Sequence, residues 1–270
     1  MHPFDLATAL GGAASEPLRT ARASDRYWTF ISPFGGVSAA IALRAVLEHP
    51  QREGDPLALT VNFCAPIAQG EFAVRTRLVR GNRSSQHWQV EFTQGGAEAV
   101  LAASVVTAAR RQTWSHRVSV PPPLPAWESL PAFPSGKSLA WVAQYEFRFA
   151  EGAMALSDTI PEPPRSARSV LWLRDAEPRP LDFLSLAAMS DAFFGRIFQV
   201  IGRLPPFGTV SMTTHFHASA EELAAHGTAP LGAIADARVF HRSFCDQTGE
   251  LYGAGGQLLA TTSQVAYYKV

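Results

Sequence analysis

The stretch PLDFLSLAAMSDAFFGRIF, residues 180–198, is apolar on nearly every side and yet carries one mid-run acid, Asp191. On a helix, the side chains three and four positions away are Ala187, Ala188, Phe194 and Gly195, none of which can pair with a carboxylate. A charge in such surroundings costs on the order of several kcal/mol unless another segment receives it, or unless its pKa climbs towards neutrality. A carboxyl that exchanges protons near neutral pH is suited to general-base chemistry on water. The plainer alternative is an Asp at a helix edge facing solvent, or paired with Arg196 or a more distant Arg.

Other residues could serve such chemistry. In PFGGVSAAIALRAVLEH, residues 33–49, Gly35 and Gly36 open an apolar helix whose free N–H groups could receive an oxyanion. A helix start that simply tolerates no side chain explains them equally well. Arg80, Arg83 and Ser84 in VRGNRSS form a turn suited to phosphate, or merely a solvated hairpin end. His215 and His217 alternate on one strand at a spacing that could hold metal, but no third ligand accompanies them and no metal site is expected. GxSxG, P-loop and GxGxxG patterns are missing, which disfavours a serine hydrolase, an NTPase or a dinucleotide enzyme.

The elements that must position these residues fall on either side of HRVSVPPPLPAWESLPAFPSG, residues 116–136, whose prolines remove backbone donors and fix φ. Before it lie a helix over Gly36–His49 and strands over 57–66, 71–82, 84–94 and 99–110. After it lie a strand over 141–150, a helix from Leu184 to about Gly202, and strands over 209–217, 233–244, 249–257 and 258–269. Alternation and β-branched content mark the strands. The order of one helix followed by an antiparallel meander thus occurs twice. Both helices are apolar all round and so are surrounded rather than laid on a surface. Curved sheets wrapped around them would protect their edges by joining into one sheet, a double hot-dog of α+β class. The expected units are 1–115, an N-terminal hot-dog, a linker over 116–136, and 137–270, a C-terminal hot-dog.

The totals narrow the class further. Lys plus Arg and Asp plus Glu are 23 each, so no basic field is available for nucleic acid or an anionic membrane. Hydrophobic residues at 47% and charged ones at 17% suit a large buried core. Cys64 and Cys245 lack CxxC spacing and read as free thiols of a reducing compartment, hence a cytoplasmic setting. The start MHPFDLATALGG has no signal-peptide character, and no apolar run approaches membrane-spanning length.

FGGVSAAIAL, LAAMSDAFF and GQLLATTSQ carry a resemblance to the acyl-CoA thioesterase II family of double hot-dog hydrolases, over about Trp28 to Lys269. The resemblance implies hydrolysis of acyl-CoA without a cofactor, and self-association through leftover sheet edges. It carries the family's Asp, Thr and Gln onto Asp191, Thr209 and Gln264, with Ser211 or Thr213 replacing Thr209 if the strand register slips. The chain departs from the family at SMTTHFHAS, where an Asp-His pair and a closing His-Arg-Pro are common, and this leaves the acyl preference open. Asp191 is then the general base or water-orienting anion, or alternatively a nucleophile, and Thr209 and Gln264 position the water. Gly35 and Gly36 become oxyanion donors, and Arg80, Arg83 and Ser84 contacts for coenzyme A. Aligning Gly36 with Phe183 sets Arg44 against Asp191 and Val106 against Gln264, so the halves differ where chemistry would reside. Two other functions suit the same scaffold: a non-catalytic acyl-CoA or lipid-binding module, and a hydratase or dehydratase using Asp with His215 or His217.

Overall fold

The computed structural model describes residues 1–111, 113–135 and 139–270. Gly136, at the end of the Pro-rich stretch, and Lys137 and Ser138 just after it lie outside the described residues. The first half contains helix α1 (Pro3–Ala7), strand β1 (Leu18–Arg22), helix α2 (Gly35–Leu47), and strands β2 (Asp55–Phe63), β3 (Glu71–Gly81), β4 (Ser85–Thr93) and β5 (Ala99–Ala108). The second begins with β6 (Tyr145–Glu151), β7 (Ser169–Asp175), α3 (Phe183–Met189), α4 (Arg196–Ile201) and β8 (Phe207–Phe216). It closes with α5 (Ala220–His226), β9 (Leu231–Asp236), β10 (Phe240–His241), β11 (Phe244–Tyr252) and β12 (Leu258–Tyr268).

All the strands belong to one antiparallel sheet in the order β1-β3-β4-β5-β2-β8-β12-β11-β9-β7-β6, with β10 attached to β11. The two sets of strands meet at β2 and β8, from Ala58 opposite His215 to Asn62 opposite Ser211. At the middle of this seam the hydroxyls of Thr60 and Thr213 stand 3.0 Å apart, a cross-strand polar pair. The chain therefore has the expected double hot-dog fold, with one long edge of each half-sheet joined at β2 and β8.

Alternation decides which side chains face the helices. In β5, Leu101, Ala103, Val105 and Thr107 are buried, whereas the residues between them are more exposed. The helix α2 is buried from Gly36 to Val46 except at Arg44, as its uniformly apolar sequence requires. It packs on α3 so closely that a Cβ on Gly36 would overlap the carbonyl oxygen of Ala188 and the Phe34 ring.

Several elements differ from the sequence expectation. The apolar helix anticipated from Leu184 to about Gly202 is broken into α3 and α4. Asp191 N–H bonds back to the Ala188 carbonyl, three residues earlier, and Gly195 adopts an extended ψ of 121° at the start of α4. The expected strand over 233–244 is cut by a two-residue turn at Arg242 and Ser243, whose φ angles are 47° and 68°. Such hairpin turns favour Gly and Asn, so neither residue announces one. Elements α1, β1, β7 and α5 were absent from the pattern; α5 did have a legible signal, the capping box between Ser219 and Glu222.

The Pro-rich stretch is pinned along the second half. Trp172 Nε1 donates to the Pro125 carbonyl at 2.8 Å, and Trp127 lies under the guanidinium groups of both Arg148 and Arg174. Phe133 then donates its N–H to the Phe147 carbonyl at 2.7 Å and inserts its ring against Phe147, Phe149 and Phe194. Because β6 is an end strand, this bond covers part of an open edge. Among the described residues no helix is long and apolar enough to cross a membrane.

The close crossing of α2 and α3 yields a test. Gly36→Ala should destabilise the protein by about 1–3 kcal/mol, the usual range for overpacking a well-filled core. Urea denaturation of the variant against the parent reads this directly, and an unchanged midpoint would show that the crossing can widen freely.

Candidate active site

The break after α3 sets Asp191 against the first turn of α2. Phe34, which occupies the α2 N-cap, offers no capping side chain. The Asp191 carboxyl takes that place and accepts the Gly36 N–H. Its Oδ2 lies 2.7 Å from where a Cβ on Gly35 would be, and the Phe63 ring closes in at 3.1 Å from the same point. Glycine is needed here because any side chain would fall on the carboxylate. Gly36 N–H, one of the two expected oxyanion donors, is thus directed at Asp191 rather than standing free.

Gln264 reaches the carboxyl from β12, donating Nε2 to Asp191 Oδ1 at 2.8 Å. Its Oε1 accepts from Thr209 Oγ1 at 3.3 Å and from Gln247 Nε2 at 3.1 Å. Gln247, on β11 directly across from Gln264, accepts the Arg196 N–H on Oε1 at 2.6 Å. Both glutamines are only 5% exposed, and Asp191 only 8%.

A strand irregularity selects Thr209. On β8, Met212, Thr214 and Phe216 are buried, and Met212 pairs across from Gln264. Strict alternation would turn Thr209 to the other side with Ser211 and Thr213. The register with β12 shifts there, however: Val265 pairs with Ser211 and Ala266 with Thr209, leaving Val210 as the extra residue of a bulge. The bulge reverses the phase and brings Thr209 onto the face of Gln264. Thr213 instead meets Thr60 at the seam.

The structure therefore gathers Asp191, Thr209, Gln264, Gly35 and Gly36 in one place. It does not bring Arg80, Arg83 or Ser84 there. One row of partners runs from Gln264 through Met212, Val61 and Ala103 to Val90, four strands away. The hairpin tip is several residues further along, on the order of 25 Å over the sheet at ~4.8 Å per strand and ~3.4 Å per residue. Arg80 Nε donates to Asn82 Oδ1 within that hairpin. His217 Nε2 lies 3.1 Å from Thr261 Oγ1, and among the described residues no cluster of His, Cys, Asp or Glu could hold a metal ion. Arg196 is not the partner of Asp191; its guanidinium donates to the Phe194 and Ala167 carbonyls and to Ser169 Oγ.

Gln247 was not singled out from the sequence. In CDQTGELY it is one polar residue among several, and its inward direction follows only once the strand register is known. The same register corrects the repeat alignment. Thr60 and Thr213 face each other at the seam, so Leu59 corresponds to Met212, and its neighbour Val105, not Val106, corresponds to Gln264.

Two domain families match the chain: the acyl-CoA thioesterase N-terminal domain over residues 24–109 and the acyl-CoA thioesterase C-terminal domain over residues 119–268. Among solved structures, a conserved protein of unknown function with a hot dog fold from Alicyclobacillus acidocaldarius is 38% identical, with a TM-score of 0.93, covering 100% of this chain and 99% of that one. An acyl-CoA thioesterase II from Mycobacterium marinum is 17% identical with a TM-score of 0.77, covering 98% of each chain. The tesB protein of Mycobacterium avium subspecies paratuberculosis is also 17% identical, with a TM-score of 0.79, covering 99% of this chain and 98% of that one. At 17% identity the likeness concerns the fold. No curated protein matches the chain.

The electrostatics of the cluster set a thermodynamic signature. Burial pushes the Asp191 pKa up to about 7, against the opposing bonds from Gln264 and Gly36. A carboxyl raised in this way binds its proton more tightly folded than unfolded, so its contribution to stability declines as pH rises from about 4 to about 7 and then levels. Asp175 is also raised to about 7 by burial and adds the same sign, so the parent's pH dependence alone does not isolate Asp191. Asp191→Asn has no proton to lose. Relative to the parent it should gain stability progressively over that range, by up to ~4 kcal/mol above pH 7, from ~1.4 kcal/mol per pKa unit. Urea denaturation of both proteins between pH 4.5 and 8.5 measures the difference; a pH-independent gap would refute the buried, proton-holding carboxyl.

Proposed function

This chain belongs to the acyl-CoA thioesterase family, and on that premise we propose that it hydrolyses the thioester of an acyl-CoA to a free carboxylic acid and coenzyme A, using water primed by Asp191. The observation that carries the reading is the buried Asp191 carboxyl, poised near pH 7 and held through one oxygen by Gln264. Carboxylates left to solvent titrate far lower and make weaker bases at neutral pH.

Each group has a role that its bonding supports. Thr209 donates a hydrogen bond to Gln264 Oε1, which leaves its oxygen lone pairs to accept a hydrogen bond from one O–H of the attacking water. Asp191 accepts the other proton as the water oxygen bonds to the thioester carbon. The carbonyl electron pair moves to oxygen, where the Gly35 N–H, on the positive end of the α2 dipole, receives it; Gly36 is committed to Asp191. Collapse of the tetrahedral species breaks the carbon–sulfur bond, and Asp191 returns its proton to the departing thiolate. The half spanning 137–270 supplies the acid, hydroxyl and amides, and the half spanning 1–115 supplies the helix start.

A thiol-release assay over acyl-CoAs from short to long chains tests this. The parent should turn over at least one class, and Asp191→Asn or Asp191→Ala should lower kcat by about 10²–10⁴, the usual share of a general base. Gln264→Ala and Thr209→Val should each cost up to about 100-fold through misplacement of the water. The parent's kcat/KM should rise with pH up to about 7, as Asp191 loses its proton, and level above it. Turnover in the Asp191 variants equal to the parent's would sink the assignment. Saturable acyl-CoA binding without thiol release would leave a non-catalytic binding module instead.

A further inference from the structure

We infer that Gln247 is a positioning residue, which fixes the orientation of the Gln264 amide and so decides that a donor rather than an acceptor faces Asp191. The inference rests on the reading of Asp191 as the group that accepts a proton from water. It follows from hydrogen-bond polarity along a chain of buried groups.

The chain starts at a group that cannot be reversed. Arg196 N–H, a backbone amide, can only donate, and it lies 2.6 Å from Gln247 Oε1. The Arg196 side chain is itself anchored to the Phe194 and Ala167 carbonyls and to Ser169 Oγ, which holds this part of the backbone in place. Gln247 must therefore present its oxygen to Arg196 and its NH₂ to Gln264. Gln264 must answer with Oε1, at 3.1 Å, and this leaves Nε2 for Asp191 Oδ1 at 2.8 Å. Thr209 donates to the same Oε1 and reinforces the orientation, but a hydroxyl both donates and accepts and would serve a flipped amide equally. Only the Gln247 branch leads back to an obligatory donor.

Without Gln247 the Gln264 amide is free to turn over. Its oxygen would then face the carboxyl, where it accepts a bond from the protonated acid and repels the carboxylate. The donation from Gln264 is one of the two interactions that hold the Asp191 pKa down against burial. Its loss moves that pKa further up, so less of the enzyme is ionised at neutral pH. Around Asp191, β12 contributes Gln264, β8 contributes Thr209 and Met212, β2 contributes Phe63, and α2 contributes glycine backbone. Tyr145 on β6 is a titratable side chain that feels the Asp191 charge. Burial keeps Tyr145 neutral throughout this range, and Asp175 acts on Tyr145 rather than on the acid directly. The guanidinium of Arg196 is turned to carbonyls.

The test compares Gln247→Met, which keeps the volume but removes both amide ends, with the parent. Acid-limb midpoints of kcat/KM for acyl-CoA hydrolysis should move up by about one pH unit, with kcat falling about ten-fold at pH 7 and KM little changed. The stability difference between Asp and Asn at position 191, followed by urea denaturation against pH in each background, should shift its midpoint upward by about half that amount, because the midpoint lies between the unchanged unfolded pKa and the raised folded one. A residue that only fills space would lower stability and leave both midpoints where they are, and that result overturns the inference. Should Gln247→Met fail to fold, Gln247→Asn, one methylene too short to span both partners, is read in the same way. If the parent hydrolyses no acyl-CoA, the proposed reaction fails, and the denaturation midpoints still decide whether Gln247 orients the amide.

Discussion

One constraint organises the molecule: a carboxyl group is shut between two helices at a point where, among the described residues, no charged side chain pairs with it, so a backbone N–H and a side-chain amide must hold it. The Gly36 N–H and Gln264 Nε2 are the donors to Asp191. Neither carries a full charge, so together they hold the acid in place without pinning it permanently ionised. An Arg or Lys at either position would hold the acid too strongly ionised for it to take up and return a proton. The pKa of about 7 is thus a balance between burial and two neutral donors.

That balance explains the local architecture. The carboxyl can reach the start of α2 because the chain breaks between α3 and α4; a continuous helix would have turned Asp191 around the α3 axis with its neighbours. The break in turn frees the Arg196 N–H, which Gln247 takes up, and the bulge at Val210 turns Thr209 inward. Irregularities in helix, strand and turn geometry therefore converge on one point, as expected where a site departs from regular packing. Gly35 and Gly36 are part of the same requirement, since one yields to a carboxylate oxygen and the other to the backbone of α3.

The sequence makes some of this legible and hides the rest for identifiable reasons. The all-apolar helix at 36–49, the strands and their repetition are visible because burial on both sides or on one side imposes its own periodicity. Asp191 stands out because a lone acid in such a run has no local partner. The helix break does not stand out, because residues 192–194 continue the apolar run past Asp191, and a tertiary partner for Arg196 N–H is what accommodates the interruption. Thr209 could be placed only by resemblance, since the bulge inverts the alternation that would otherwise choose among Thr209, Ser211 and Thr213. Gln247 is invisible for a related reason: its meaning lies in being directly across from Gln264, a register that the misread turn at Arg242 and Ser243 obscures.

The two halves show what the same framework does without this demand. In the first half α2 runs unbroken, so its last turns cannot offer a carboxyl to the start of α3. Asp182 caps α3 locally by accepting the Ser185 N–H at 2.8 Å. Several charges there pair with one another: Arg179 bonds to Asp5 and Asp182, and Arg44 to Glu48 and to the neutral hydroxyl of Thr8. Through Asp5 and Thr8, helix α1 is drawn across this end of the crossing, and Val105 fills the position corresponding to Gln264 with apolar bulk. These charges have opposite partners within reach, whereas Asp175 beside them is buried and has its pKa raised to about 7. The crossing at Asp191 is left with neutral donors alone, and a group so held is able to give up and regain a proton near neutral pH.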